Sequence, residues 1–171
     1  DLPTKEDSDL NPISPYALHK LMGEQYCKLF SDIYGLETVC LRYFNVYGNR
    51  MNDTGAYKSV IKAFMQQKSN NLPLNIVNDG NQKRDFINVN DIVSANYSAS
   101  KYKGKALGEI FNIGRGKNIS VNEIANIFNC KRKYGEKRKE PFESLSNINK
   151  AKNILKWNPK EDLEDWLCNI L

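Results

Sequence analysis

The 171-residue chain has one histidine, His19, and no Cys-x-x-Cys pair among its four cysteines, Cys27, Cys40, Cys130 and Cys168. Zinc and dithiol motifs need sulfur or imidazole ligands at close spacing, so neither a metal site nor a redox pair is expected, and the thiols read as reduced and at least partly buried. No apolar run approaches the roughly 20 residues of a membrane-spanning helix, and Asp1 to Asp9 is too acidic and polar for a secretory leader. A cytoplasmic protein without membrane contact is the expectation. Repeats and low-complexity tracts are also missing. The net charge of +5 is mild and lacks the concentrated basic stripe that argues for nucleic acid. Apolar residues make up 40% and charged residues 26%, ordinary usage for one soluble domain.

What the chain does carry is Ser14-Pro15-Tyr16-Ala17-Leu18-His19-Lys20. The Ser14 hydroxyl suits a helix N-cap, and Pro15 suits the first helical position, where no N–H donor is needed. Tyr16 and Lys20 then fall four residues apart, as neighbours on the helix surface. An ammonium there favours the phenolate, which makes the pair a candidate proton-transfer device. The same spacing also fits a half-buried aromatic beside a solvated lysine. His19, between the two, reads as structural.

Along the chain, residues 1 to 13 form a polar loop punctuated by Pro3 and Pro12. A helix over Pro15 to Tyr34 follows, with Leu18, Leu21, Met22, Tyr26, Leu29, Phe30 and Ile33 at helical spacing and Gly35 as its stop. Thr38 to Phe44 suits a buried strand of a parallel sheet, and Asn45 to Arg50 a loop at its carboxyl end, where open α/β sheets place ligands. Tyr57 to Gln67 reads as a helix and Leu74 to Val77 as a short strand. The Asn78-Asp79-Gly80-Asn81 turn leads into Arg84 to Val89. Asn90 or Asp91 caps a helix to about Tyr102, and Glu109 to Ile113 is a further strand. Ser120 with Glu123 forms a capping box on a helix through Phe128. Lys131 to Lys139 holds six basic residues against Glu136, which fits a solvated loop or an anion site. Asn149 to Trp157 and Asp162 to Leu171 close the chain as short helical stretches, with Leu155, Trp157, Leu163, Trp166 and Leu167 as core.

Three ordered stretches resemble the extended short-chain dehydrogenase/reductase superfamily, in particular its nucleotide-sugar 4-epimerases and dehydratases. These are Ser-Pro-Tyr-Ala-x-x-Lys (14–20), Leu-Arg-Tyr-Phe-Asn-Val-Tyr-Gly-x-Arg (41–50), and Asp-Gly-x-Gln-x-Arg-Asp-Phe-Ile (79–87) with Val89-x-Asp91. A fourth, Gly55-Ala56-Tyr57 ahead of Val60-Ile61, is similar to the UDP-N-acetylhexosamine 4-epimerases. The resemblance implies an α/β fold: the C-terminal part of a Rossmann-like enzyme, with residues 1–50 ending the Rossmann-like portion and 51–171 binding the nucleotide sugar. Members of the superfamily begin with a dinucleotide-binding half bearing Gly-x-x-Gly-x-x-Gly and, later, a catalytic Ser or Thr. Neither occurs in these 171 residues, so NAD binding is expected to need that missing half.

The resemblance further implies Tyr16 as the catalytic acid/base and Lys20 as its partner at the nicotinamide ribose, with Tyr43 beside the carboxamide. It places Asn45 and Arg84 at the UDP-sugar diphosphate, Val60 and Asn75 on the uracil side, and Lys137 and Glu140 at phosphate and ribose. Met51 stands where related epimerases often have glutamine, which leaves tolerance for an N-acetyl group open. The expected activity is 4-epimerisation through a transient 4-keto sugar, in an enzyme that dimerises through the catalytic helix. A sugar-nucleotide 4,6-dehydratase or decarboxylase is the alternative enzyme. A non-catalytic nucleotide-sugar-binding or partner-docking fragment is the alternative of another class.

Overall fold

The chain is seen in a computed structural model that describes residues 1–52, 59–104, 107–136 and 140–171. Helix α1 (Pro15–Tyr34) starts as its residues dictate: the Ser14 hydroxyl accepts from the Ala17 N–H, and Pro15 occupies the first turn. Gly35 ends it with φ 67° and donates its N–H to the Ser31 carbonyl, a left-handed cap that glycine adopts without steric cost. Strand β1 (Thr38–Tyr43) follows, then β2 (Asn45–Tyr47), where a loop was expected. The remaining elements are α2 (Val60–Ser69), β3 (Leu74–Ile76), β4 (Lys83–Asn88), α3 (Val89–Ser100), β5 (Leu107–Ile113), β6 (Asn118–Ser120), α4 (Val121–Phe128), β7 (Arg132–Tyr134), α5 (Asn149–Ile154) and α6 (Leu163–Ile170).

Among the described residues the strands form three small sheets. β1 pairs in parallel with β5, β2 in parallel with β4, and β3 in parallel with β7, while β6 joins β4 antiparallel. The expected capping box is present at α4, where the Ser120 side chain accepts the Glu123 N–H and the Glu123 carboxylate accepts the Ser120 N–H. Asn88 caps α3, two residues before Asn90 and three before Asp91, the expected caps. The Asp91 carboxylate is buried and accepts from the backbone of Lys160 and Glu161, at 2.9 and 3.0 Å, so it ties down the C-terminal segment. β7 lies inside the basic stretch expected to be loop or anion site.

Two apolar clusters hold the fold. One gathers Tyr47, Ile61, Phe64, Leu74, Ile76, Phe86, Val121, Ile124, Phe128, Leu163 and Leu167; the other gathers Ile87, Ile92, Phe111, Ile113, Leu155 and Trp157. Of the closing residues expected in the core, only Trp166 is partly exposed. α1 contributes to neither cluster, and its one buried residue is Ser31. Leu18, Met22, Tyr26, Leu29, Phe30 and Ile33, expected to pack, are all exposed. The helix is attached instead by polar contacts and by close approach: the Ser31 hydroxyl donates to the Leu36 carbonyl, and the Thr38 hydroxyl to the Cys27 carbonyl. Gly108, at φ 72°, lets β5 pass so near that a Cβ there would meet the Lys28 Cα at 2.8 Å.

β1 is only half-buried, against the expectation of a fully buried strand, because among the described residues β5 is its sole neighbour and its other edge has no partner strand. The cysteines are free; Cys168 lies exposed on α6, contrary to the expected burial, while the other three are partly buried. Among the described residues, no helix is long and apolar enough to cross a membrane and no His/Cys/Asp/Glu cluster could hold a metal ion.

Candidate active site

The first turn of α1 projects Tyr16 from the surface, 57% exposed, and one turn on the Lys20 ammonium lies over its ring, 5.4 Å from the centroid. Helical geometry requires this neighbourhood, and the attraction of a cation to an aromatic face favours it. A groove of about 740 Å³ runs between α1 and β1, lined by Tyr16, Lys20, Glu24, Arg42 and Tyr43, with Leu10, Asn11 and Pro12 along its rim. The polar loop before the helix therefore forms part of the wall. Tyr43 ends β1 half-exposed, and its hydroxyl is 2.9 Å from Asn96 Oδ1 on α3, to which it donates.

Under these side chains lies a network that sequence reasoning missed. The Arg42 guanidinium donates from Nε and Nη2 to the two oxygens of Glu24, both at 2.7 Å, and from Nη1 to the Glu6 carbonyl at 3.0 Å. Glu6 in turn accepts the Asn112 N–H of β5 at 2.8 Å. The Glu24 carboxylate raises the Arg42 pKa further above its ordinary value, as expected for a fork-to-carboxylate pair. A signal was available: a lone charge inside the apolar run Val39 to Phe44 calls for a partner. Deeper in the groove, burial and the neighbouring Cys27 push the Cys40 thiol up to about 12, so it stays protonated and is a poor nucleophile.

The other residues singled out from sequence lie elsewhere. Asn45 donates its side-chain amide to the Asp85 carbonyl at 3.1 Å across the β2–β4 pair. Arg84 and Glu140 meet: Nη2 donates to Glu140 Oε2 at 2.8 Å, and Nη1 to the carbonyls of Lys83 and Phe142. The other Glu140 oxygen accepts from Asn78 and Gln82 at 3.1 and 3.2 Å, so the carboxylate organises one polar surface. Arg84 thus pairs with Glu140 rather than with its neighbour Asp85. Asp85 is fully buried and accepts the N–H groups of Arg115, Gly116 and Ser146, at 2.7, 3.1 and 3.0 Å, together with the Ser146 hydroxyl. That carboxylate clamps the turn after β5 and the chain at Ser146 to β4. Val60 starts α2, half-buried against the first cluster. Asn75 is exposed on β3 and donates its N–H to Gln67. Neither joins the groove. Lys137 and the Gly55-Ala56-Tyr57 stretch lie outside the described residues. His19 is exposed on α1.

The structure therefore brings Tyr16, Lys20 and Tyr43 into one groove and Arg84 and Glu140 into one ion pair. The first set can exchange a proton at a phenol beside a fixed positive charge. The second offers a guanidinium partly neutralised by a carboxylate.

Comparison with known proteins agrees with the motifs. The family model for the NAD-dependent epimerase/dehydratase family matches residues 1–114. A Methanocaldococcus jannaschii protein provisionally named UDP-glucose 4-epimerase is 39% identical over 99% of this chain and 56% of its own length. The UDP-N-acetylglucosamine 4-epimerase of Methanobrevibacter ruminantium, solved with UDP-N-acetylmuramic acid, superposes with a TM-score of 0.91 at 33% identity, over 98% of this chain and 56% of that one. The UDP-glucuronic acid 4-epimerase of Bacillus cereus, solved with UDP-glucuronic acid and NAD, gives 0.84 at 30% identity, over 95% and 52%. The chain spans about half the length of the curated relatives it matches, and the fold corresponds to the C-terminal half of the epimerase structures. By sequence and by fold, this chain belongs to the NAD-dependent epimerase/dehydratase family.

Proposed function

We propose that the chain is the catalytic-helix and sugar-nucleotide portion of an NAD-dependent UDP-sugar 4-epimerase, and that alone it does not turn over substrate. The observation that carries this reading is the Lys20 ammonium over the Tyr16 ring in the groove shared with Tyr43. In it, residues 1–50 contribute the end of the Rossmann-like portion and residues 51–171 the nucleotide-sugar portion. The groove presents residues whose chemistry suits one side of NAD: Lys20 would hold the nicotinamide ribose, and Tyr43 would lie beside the carboxamide. NAD, when bound, supplies the hydride acceptor and returns the hydride.

Tyr16 takes the proton of the sugar 4-hydroxyl at its phenolic oxygen, and Lys20 offsets the negative charge that develops there. The substrate passes through a 4-keto sugar and regains hydrogen on its opposite face. Asn45, Arg84 and Lys137 hold the diphosphate, Glu140 the ribose hydroxyls, and Val60 and Asn75 the base. Arg84 supplies a planar fork suited to phosphate oxygens, and Glu140 keeps that fork oriented until substrate arrives. The unpaired edge of β1 and the exposed apolar face of α1 are the surfaces on which the dinucleotide-binding half and a second subunit would pack.

The test uses full-length protein, NAD and UDP-glucose or UDP-N-acetylglucosamine. Inversion at C4 is expected, with kcat lowered at least ~100-fold by Tyr16→Phe, the usual span of a lost acid/base. The 171-residue chain should show weak NAD binding by calorimetry and no turnover. No change at C4 with the full-length protein overturns the reading, and a stable keto product assigns a dehydratase instead.

A further inference from the structure

On α1, Lys20 has two possible partners one turn away in opposite directions: the Tyr16 ring before it and the Glu24 carboxylate after it. Both positions are neighbours on the helix surface, and a carboxylate is ordinarily the stronger attraction for an ammonium than an aromatic face. Lys20 nevertheless lies over Tyr16 and makes no ion pair among the described residues. The same helix carries an internal control. Lys28 and Asp32 have the same spacing, and there the ammonium does close on the carboxylate, at 2.5 Å.

The two sites differ in what else holds the acid. Asp32 is half-exposed, and among the described residues Lys28 is the one cation paired with it. Glu24 is 18% exposed, and both of its oxygens are taken by the Arg42 fork at 2.7 Å. Arg42 is itself fixed from a third side by the Glu6 carbonyl. Its charge and its donor geometry together leave Glu24 with little to offer a second cation.

We propose that Arg42 is a positioning residue for Lys20: by occupying both oxygens of Glu24, it keeps the Lys20 ammonium on Tyr16 instead of on the next turn of its own helix. The inference rests on Tyr16 and Lys20 being the working pair, but it concerns where the ammonium sits, which is measurable without turnover. Removing Arg42 leaves a half-buried carboxylate without a partner, and Lys20, on its flexible four-carbon stem, is the cation within reach.

The test is NMR on the 171-residue chain, reading the nuclear Overhauser cross-peak between the Lys20 ε-protons and the Tyr16 ring protons. The cross-peak is expected in the wild type, lost in Arg42→Gln, and restored in Arg42→Gln/Glu24→Gln, where no carboxylate competes. Arg42→Lys, which keeps a charge in β1 but not the fork, is expected to weaken it and serves if Arg42→Gln does not fold. A cross-peak unchanged in both Arg42 variants overturns the proposal. So does one that stays lost in a folded double variant, since a merely structural Arg42 is not rescued by removing Glu24. Absence of epimerase activity in the full-length protein would remove the functional reading and leave this result untouched.

Discussion

Helix α1, seated on β1 and β5, and the body built on α2, α4, α6 and the other two sheets use different means of cohesion. In the body, Phe64 and Phe128 are buried and meet edge to face at 5.6 Å, and Tyr47 and Trp166 meet in the same way at 5.0 Å. Phe64 and Phe128 each contribute about 1.5–3 kcal/mol by leaving water. In the α1 layer, Phe30 and Tyr34 also meet, at 5.3 Å, but both remain exposed. There the fixings are hydrogen bonds from Ser31, Thr38 and Arg42. The proposed chemistry stands on α1, so in these 171 residues the helix that carries Tyr16 and Lys20 is the one least supported by apolar burial.

The largest expected effect lies in the body. Phe128→Ala should cost about 3–5 kcal/mol in urea unfolding, because the site is fully packed and cannot collapse. Ser120→Ala removes the α4 cap and should cost about 1 kcal/mol. Phe30→Ala in α1 should fall within about 0.5 kcal/mol of wild type, as for other exposed positions. A loss at Phe30 comparable with that at Phe128 would erase the contrast between the layers. The smallest effect is in pH dependence. The Ser120 hydroxyl and N–H hold the Glu123 carboxyl below its ordinary range. A depressed folded value means that the added stability is present above the unfolded pKa, near ~4.3, and is lost as the pH falls through the folded one. The stability difference between wild type and Glu123→Gln should therefore be largest near neutrality and shrink in acid, as read by unfolding at several pH values.

Local chemistry explains which parts of this picture were legible in the sequence. Ser14-Pro15 and the Ser120–Glu123 box announced two helices because caps act within a few residues. Strands β2, β6 and β7 are three residues each and exist only through partners far along the chain, so no local pattern marked them. Periodicity gave α1 its length but not its orientation. The stripe through Leu18, Met22 and Leu29 is the more apolar one, yet Ala17, Leu21, Glu24, Cys27 and Ser31 face the sheet. Tyr16, Lys20 and Tyr43 were found through motif order, and the groove brings them together. The Arg84–Glu140 and Arg42–Glu24 pairs span 56 and 18 residues, and in each the sequence offered a charge without naming its partner.

Native-state amide hydrogen exchange of the 171-residue chain separates the support of α1 from that of α4, since it reads the opening free energy of each element separately. The expectation is that the α1 amides from Leu18 to Ile33 exchange through low-energy local opening, and the α4 amides of Ile124 to Phe128 only near global unfolding. Equal protection of α1 and α4 would contradict it, by showing that the helix bearing Tyr16 and Lys20 is held as firmly as the core.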